Sequence, residues 1–63
     1  MGADREGEVY FEFTQVGASV RVAAIDGATG IEVTVVGPAS AAARDLERLA
    51  LAKLKARLAK ERE

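Results

Sequence analysis

Few side chains in this sequence have a type and spacing suited to catalysis, and each has a simpler structural explanation. Nucleophilic catalysis needs a serine or cysteine beside a base, yet the chain has no histidine and no cysteine. Its serines, Ser19 and Ser40, fall where we predict a turn and a helix cap, and there they can bond to nearby backbone groups. The sequence therefore predicts no nucleophilic centre.

Carboxylates are the remaining candidates for acid–base chemistry or metal binding. Glu8, Glu12 and Glu32 share one face of the predicted sheet, but that face is expected to be flat and solvated, with no enclosing pocket. The usual zinc ligands, histidine and cysteine, are absent. The glycine-rich stretch 27–30 lacks the lysine and hydroxyl residue of a phosphate-binding loop. We therefore expect a non-enzymatic protein with no cofactor and no metal.

Alternating apolar and polar residues predict a β-meander. The three predicted strands are residues 8–16, 19–25 and 31–36. Gly17 suits the first central position of a two-residue type II′ turn, and the resulting register places Phe13 opposite Val22. Asp26 can bond to the backbone of the second loop, where Gly30 can take the positive φ that closes it. Both hairpins keep apolar side chains on one face, so the predicted order is β1-β2-β3.

One long helix should complete the fold. Residues 41–61 contain no glycine or proline, and Ser40 can cap the helix start. Such a helix is roughly 30 Å long, whereas a seven-residue strand covers only about 23 Å, so we expect the helix to overhang the sheet. The predicted architecture is α+β: a disordered tail at residues 1–7, then a single β-β-β-α domain at residues 8–63.

The apolar arc of this helix is wider than one small sheet requires. With 100° per residue, the arc extends from Leu49 through Leu46 to Leu51, a span of about 200°. Simple exposure of Leu51 or Leu58 is one explanation, because single exposed leucines are common. A second packing surface is the other explanation, and we favour it. The sequence then predicts a protein interface at Leu51, Leu54 and Leu58, formed with another copy or with a larger complex.

Charge is divided unevenly along the chain. Residues 1–40 carry two basic and six acidic side chains, whereas residues 41–63 carry seven basic and four acidic ones. The open sheet face is therefore acidic and should repel phosphate. Nucleic-acid binding through the basic helix remains the alternative function, and its contacts would be Arg48, Lys55 and Arg62.

The remaining features concern location. No apolar run approaches the ~20 residues that span a bilayer, and the first eight residues lack the apolar segment of a signal peptide. We therefore expect a cytoplasmic protein with no membrane span.

Two sequence strings give a resemblance to a known family. Tyr-Phe-Glu-Phe-Thr at 10–14 and Val-Gly-Pro-Ala-Ser at 36–40 resemble a family of short alphaproteobacterial proteins that is known only as a domain of unknown function. The resemblance covers roughly residues 8–58. It implies a small stand-alone bacterial protein, and it brings no catalytic residues with it.

Overall fold

The chain folds as a three-stranded antiparallel sheet with one helix packed on it. A computed structural model describes residues 8–62, so the tail predicted at 1–7 lies outside the described residues. The elements in chain order are β1 (Val9–Val16), β2 (Ser19–Asp26), β3 (Glu32–Pro38) and α1 (Ala43–Glu61). The strand order is β1-β2-β3. The predicted α+β class and the predicted topology are confirmed.

The first hairpin has the turn and the register that the sequence predicts, and the second loop has the predicted turn residues in their predicted roles. Gly17 has φ of 60° and is followed by a residue of negative φ, as a type II′ turn requires. Phe13 lies opposite Val22 in the resulting register. In the second loop Gly30 has φ of 78°. The buried Asp26 carboxylate accepts hydrogen bonds from the N–H and the hydroxyl of Thr29, at 2.9 and 2.7 Å. These local bonds satisfy the buried carboxylate.

The third strand is longer than predicted. It continues through Gly37 and Pro38, which pair with Val20 and Ser19 of β2, whereas the predicted strand ended at residue 36. The Asp26 N–H donates to the Ile31 carbonyl at 2.9 Å, so the odd-numbered residues of β3 face β2 and the even-numbered ones face the open edge. Pro38 needs no N–H at an edge position, and the strand tolerates it for that reason.

The helix begins two residues later than predicted, and Ser40 does not cap it. The Ala41 N–H donates to the Pro38 carbonyl at 2.9 Å, so residues 38–41 form a turn before the helix. Ala42 occupies the N-cap position, with φ of −67° and ψ of 131°, and its side chain makes no capping hydrogen bond. The sequence prediction was wrong here because the turn after Pro38 takes up the residues assigned to the first helical turn.

Replacing Ala42 with aspartate is expected to stabilise the fold by about 1 kcal/mol. The N-cap backbone already has the extended conformation that a capping side chain uses, and the added carboxylate also lies at the positive end of the helix dipole. Thermal unfolding followed by circular dichroism should show a rise of roughly 4 to 8 °C. The exposed Ala52 gives the matched control: Ala52→Asp should lower stability, because aspartate is a weak helix former inside a helix. Equal responses at the two positions would contradict the cap assignment.

The core forms between α1 and the middle of the sheet. Leu46, Ala50 and Leu54 of the helix are buried against side chains from β2 and β3. The helix has 19 residues and a length of roughly 28 Å, while an eight-residue strand covers about 27 Å. The difference in length is therefore much smaller than predicted, because the helix is shorter and β2 and β3 are each one residue longer than expected.

Candidate interaction surface

The helix covers two of the three strands. It packs against β2 and β3 to the same extent, and its contact with β1 is slight. Geometry explains this placement: a helix about 10 Å across spans two strands that lie about 4.8 Å apart, and not three. The helix-facing side of β1 is therefore left partly uncovered.

Aromatic side chains occupy that uncovered side. Phe13 points to the same face as the core residue Val22, which lies opposite it, yet 47% of Phe13 is exposed. Phe11 is half-buried and contacts the edge of the core. A groove of about 290 Å³ runs between β1 and α1, and it is lined by Phe11, Arg44, Glu47, Arg48 and Leu51. We define the aromatic flank as Phe11, Phe13 and Leu51.

The three leucines predicted to form an interface differ in their surroundings. Leu54 is fully buried under the sheet, so its inclusion in a partner interface was wrong. Leu58 is half-buried and packs against the core. Leu51 is half-buried on the β1 side and lines the groove. The sheet covers the middle of the apolar arc. Apolar surface that the sheet leaves uncovered lies at both ends of the arc: one end faces β1, and at the other end Leu49 is 59% exposed.

Sequence reasoning did not identify Phe13 as a surface residue. The strand pattern placed it correctly on the inner face but gave no measure of how far the helix reaches. The comparison of helix width with strand spacing was the signal that could have found it.

The predicted nucleic-acid contacts share one side of the helix. Arg48, Lys55 and Arg62 are all exposed, and Arg48 also lines the groove. Acidic residues are interspersed among the basic ones, since Glu47 shares the groove and Glu61 pairs with Arg57 at 2.9 Å. Arg44, Glu47 and Arg48 therefore border the groove at the aromatic flank, whereas Glu61 and Arg62 line a separate groove by the β2–β3 loop.

A comparison with protein families now identifies the chain. The sequence profile of a family described as a domain of unknown function (DUF6898) matches residues 6–61. The chain belongs to this family. No curated protein and no solved structure matches the DUF6898 chain. The family match brings no activity with it, so the functional argument depends on the surface of this DUF6898 domain.

The described part of the DUF6898 chain shows no metal cluster and no membrane-spanning helix. Across residues 8–62, no group of three or more carboxylates is placed to hold a metal ion. No helix in that part is both long and apolar enough to cross a membrane. A second groove, of about 540 Å³, lies between the β2–β3 loop and the end of α1. Its buried carboxylate, Asp26, is already bonded to Thr29.

Proposed function

We propose that this protein is a non-enzymatic interaction protein that self-associates through the aromatic flank. The observation that carries the proposal is the uncovered inner face of β1, where Phe13 is 47% exposed beside the groove lined by Phe11 and Leu51. Exposed aromatic side chains next to a groove are typical of interface cores. The bacterial origin and the cytoplasmic location expected from the sequence remain part of the proposal.

A second copy is the partner that the size of the domain favours. A domain of 63 residues buries a modest core, and chains of this size commonly gain stability from a disulfide, a metal or association. The chain has no cysteine and no histidine, so the routes that remain are very close packing of the helix and association. A second copy would also bring an identical aromatic flank, as a two-fold interface requires.

Replacing Phe13 with serine is expected to weaken self-association about tenfold or more, because the lost apolar contact is worth roughly 1.5 to 3 kcal/mol when fully buried. Sedimentation equilibrium at micromolar to millimolar concentration measures the effect against the 6.6 kDa chain mass. The monomer should lose little stability, because the ring is half exposed in it.

The matched control is Leu49→Ser, on the opposite side of the helix, where a similarly exposed side chain should leave association unchanged. A folded parent that stays monomeric at millimolar concentration would contradict self-association. Tight, salt-dependent binding of duplex DNA that is lost on neutralising Arg48, Lys55 and Arg62 would instead support the alternative function.

A further inference from the structure

We infer that two copies join edge to edge through β1, so that two three-stranded sheets become one continuous six-stranded antiparallel sheet. This inference rests on the proposed self-association and specifies how it is built. Three features of the sheet support it. The backbone groups at the outer edge of β1 point outward, the opposite edge of the sheet is partly blocked, and the side chains of β1 are complementary to those of a second β1.

The outer edge of β1 presents a row of backbone donors and acceptors. The Gly27 N–H donates to the Glu8 carbonyl at 2.9 Å, so Glu8 and the even-numbered residues of β1 direct their backbone groups towards β2. The odd-numbered residues therefore direct theirs to the edge; these are Val9, Phe11, Phe13 and Gln15. No proline or lysine occurs in this strand, although natural proteins commonly use both to protect an edge.

The other edge of the sheet is partly blocked. The Thr34 carbonyl points outward from β3, and the Lys53 ammonium donates a hydrogen bond to it at 2.7 Å. Pro38, which also faces outward, has no N–H to offer a neighbouring strand. The two edges therefore differ, and β1 is the one suited to accept another strand.

The side chains of β1 are complementary to themselves in one register. An antiparallel pair related by a two-fold axis at Phe11 brings these residues opposite each other: Phe11 and Phe11, Val9 and Phe13, Tyr10 and Glu12, Glu8 and Thr14. Apolar residues then meet on the inner face. On the outer face Glu12 lies opposite Tyr10, whose hydroxyl already donates to Glu8 of its own strand at 2.7 Å. Moving the axis to Glu12 would place the two Glu12 carboxylates directly opposite each other, which is unfavourable.

The same arrangement joins the aromatic flanks of the two copies. The two helices would lie on the same side of the six-stranded sheet, separated by the two β1 strands. Those strands form a surface about 10 Å wide between the helices, and this surface carries Phe11 and Phe13 from both copies. One interface would therefore pair the outward backbone groups of the two β1 strands and bring the exposed rings of the two copies into contact.

Methylation of the Phe11 backbone nitrogen tests the edge directly. The chain is short enough for chemical synthesis, and the modification leaves every side chain in place. Because this N–H points away from β2, the monomer should fold as before by circular dichroism. At the two-fold axis the modification removes two hydrogen bonds and leaves two carbonyls unpaired, so the dimer dissociation constant should rise at least about 100-fold.

The matched control is methylation of the Glu32 nitrogen, which faces the outer edge of β3 and should leave the dimer intact. If the Phe11-modified chain still dimerises like the parent, the β1 pairing is wrong while self-association stands. If the unmodified parent is monomeric throughout, the proposed self-association itself fails. These outcomes separate the two proposals.

A distance measurement tests the register. The chain has no cysteine, so Thr14→Cys provides a single site for a nitroxide label. With the axis at Phe11, the two labelled positions are six residues apart along the paired strands, about 20 Å. With the axis at Glu12 they would be about 14 Å apart. Double electron–electron resonance distinguishes these values, and the shorter distance would overturn the proposed register.

Discussion

Replacing Leu54 with alanine is expected to lower the free energy of unfolding by about 3 to 4 kcal/mol. Leu54 is completely buried, between Ala50 on its own helix and the inner faces of β2 and β3. The substitution removes its apolar contacts and leaves a cavity that a small sheet can only partly close. A domain of this size has a total stability of roughly 3 to 9 kcal/mol, so the loss takes a large part of it.

Urea titration followed by the helical circular dichroism signal measures this effect, and the midpoint should fall steeply while the slope stays constant. Leu49→Ala is the matched control, since it makes the same chemical change on the same helix where the side chain is 59% exposed. That variant should change stability by no more than about 0.5 kcal/mol. Comparable losses at both positions would show that the helix packs with a different side towards the sheet.

The sheet could be predicted closely from the sequence because its signals are local. Period-two alternation defined the strands, and the turn residues fixed their register. Gly17 and Gly30 adopt the positive φ values that the turn types require, and Phe13 pairs with Val22 as expected. In each hairpin a turn position that requires positive φ, and therefore favours glycine, determines the turn.

The limits of the helix were harder to predict because they depend on tertiary contacts. Ser40 is a good capping residue, but the turn closed by the Ala41 N–H bond to Pro38 moves the helix start beyond it. Local capping preference favours Ser40 over Ala42, so no local pattern predicts the observed cap. The residue that becomes the N-cap is determined by where the chain leaves the sheet.

The candidate surface was predicted only in part. The width of the apolar arc correctly indicated more apolar surface than the sheet covers, and Leu51 lies on the uncovered side. The arc alone does not reveal which of its residues face the sheet, and Leu54 was misplaced for that reason. Phe13 was missed because exposure on the inner face of a strand depends on how far the helix reaches across the sheet.

Replacing Gly37 with alanine is expected to destabilise the protein by about 2 kcal/mol. A Cβ at this position would lie 2.5 Å from Leu46 Cδ2 and 3.3 Å from Cδ1. Leu46 is buried at the junction of α1 and β3, so it cannot move aside without disturbing the core. The backbone of Gly37 does not have a positive φ, so alanine meets no conformational strain there. The clash with Leu46 is therefore the cause of the expected loss.

A double-mutant cycle tests that cause. Leu46→Ala alone should cost roughly 2 to 4 kcal/mol, because it leaves a cavity over Gly37. In the double variant the new methyl group enters that cavity and no longer clashes. The combined loss should therefore be smaller than the sum of the two single losses by at least about 1 kcal/mol. Additive losses would mean that the two residues do not meet, and that α1 does not pack as closely on the end of β3 as this contact requires.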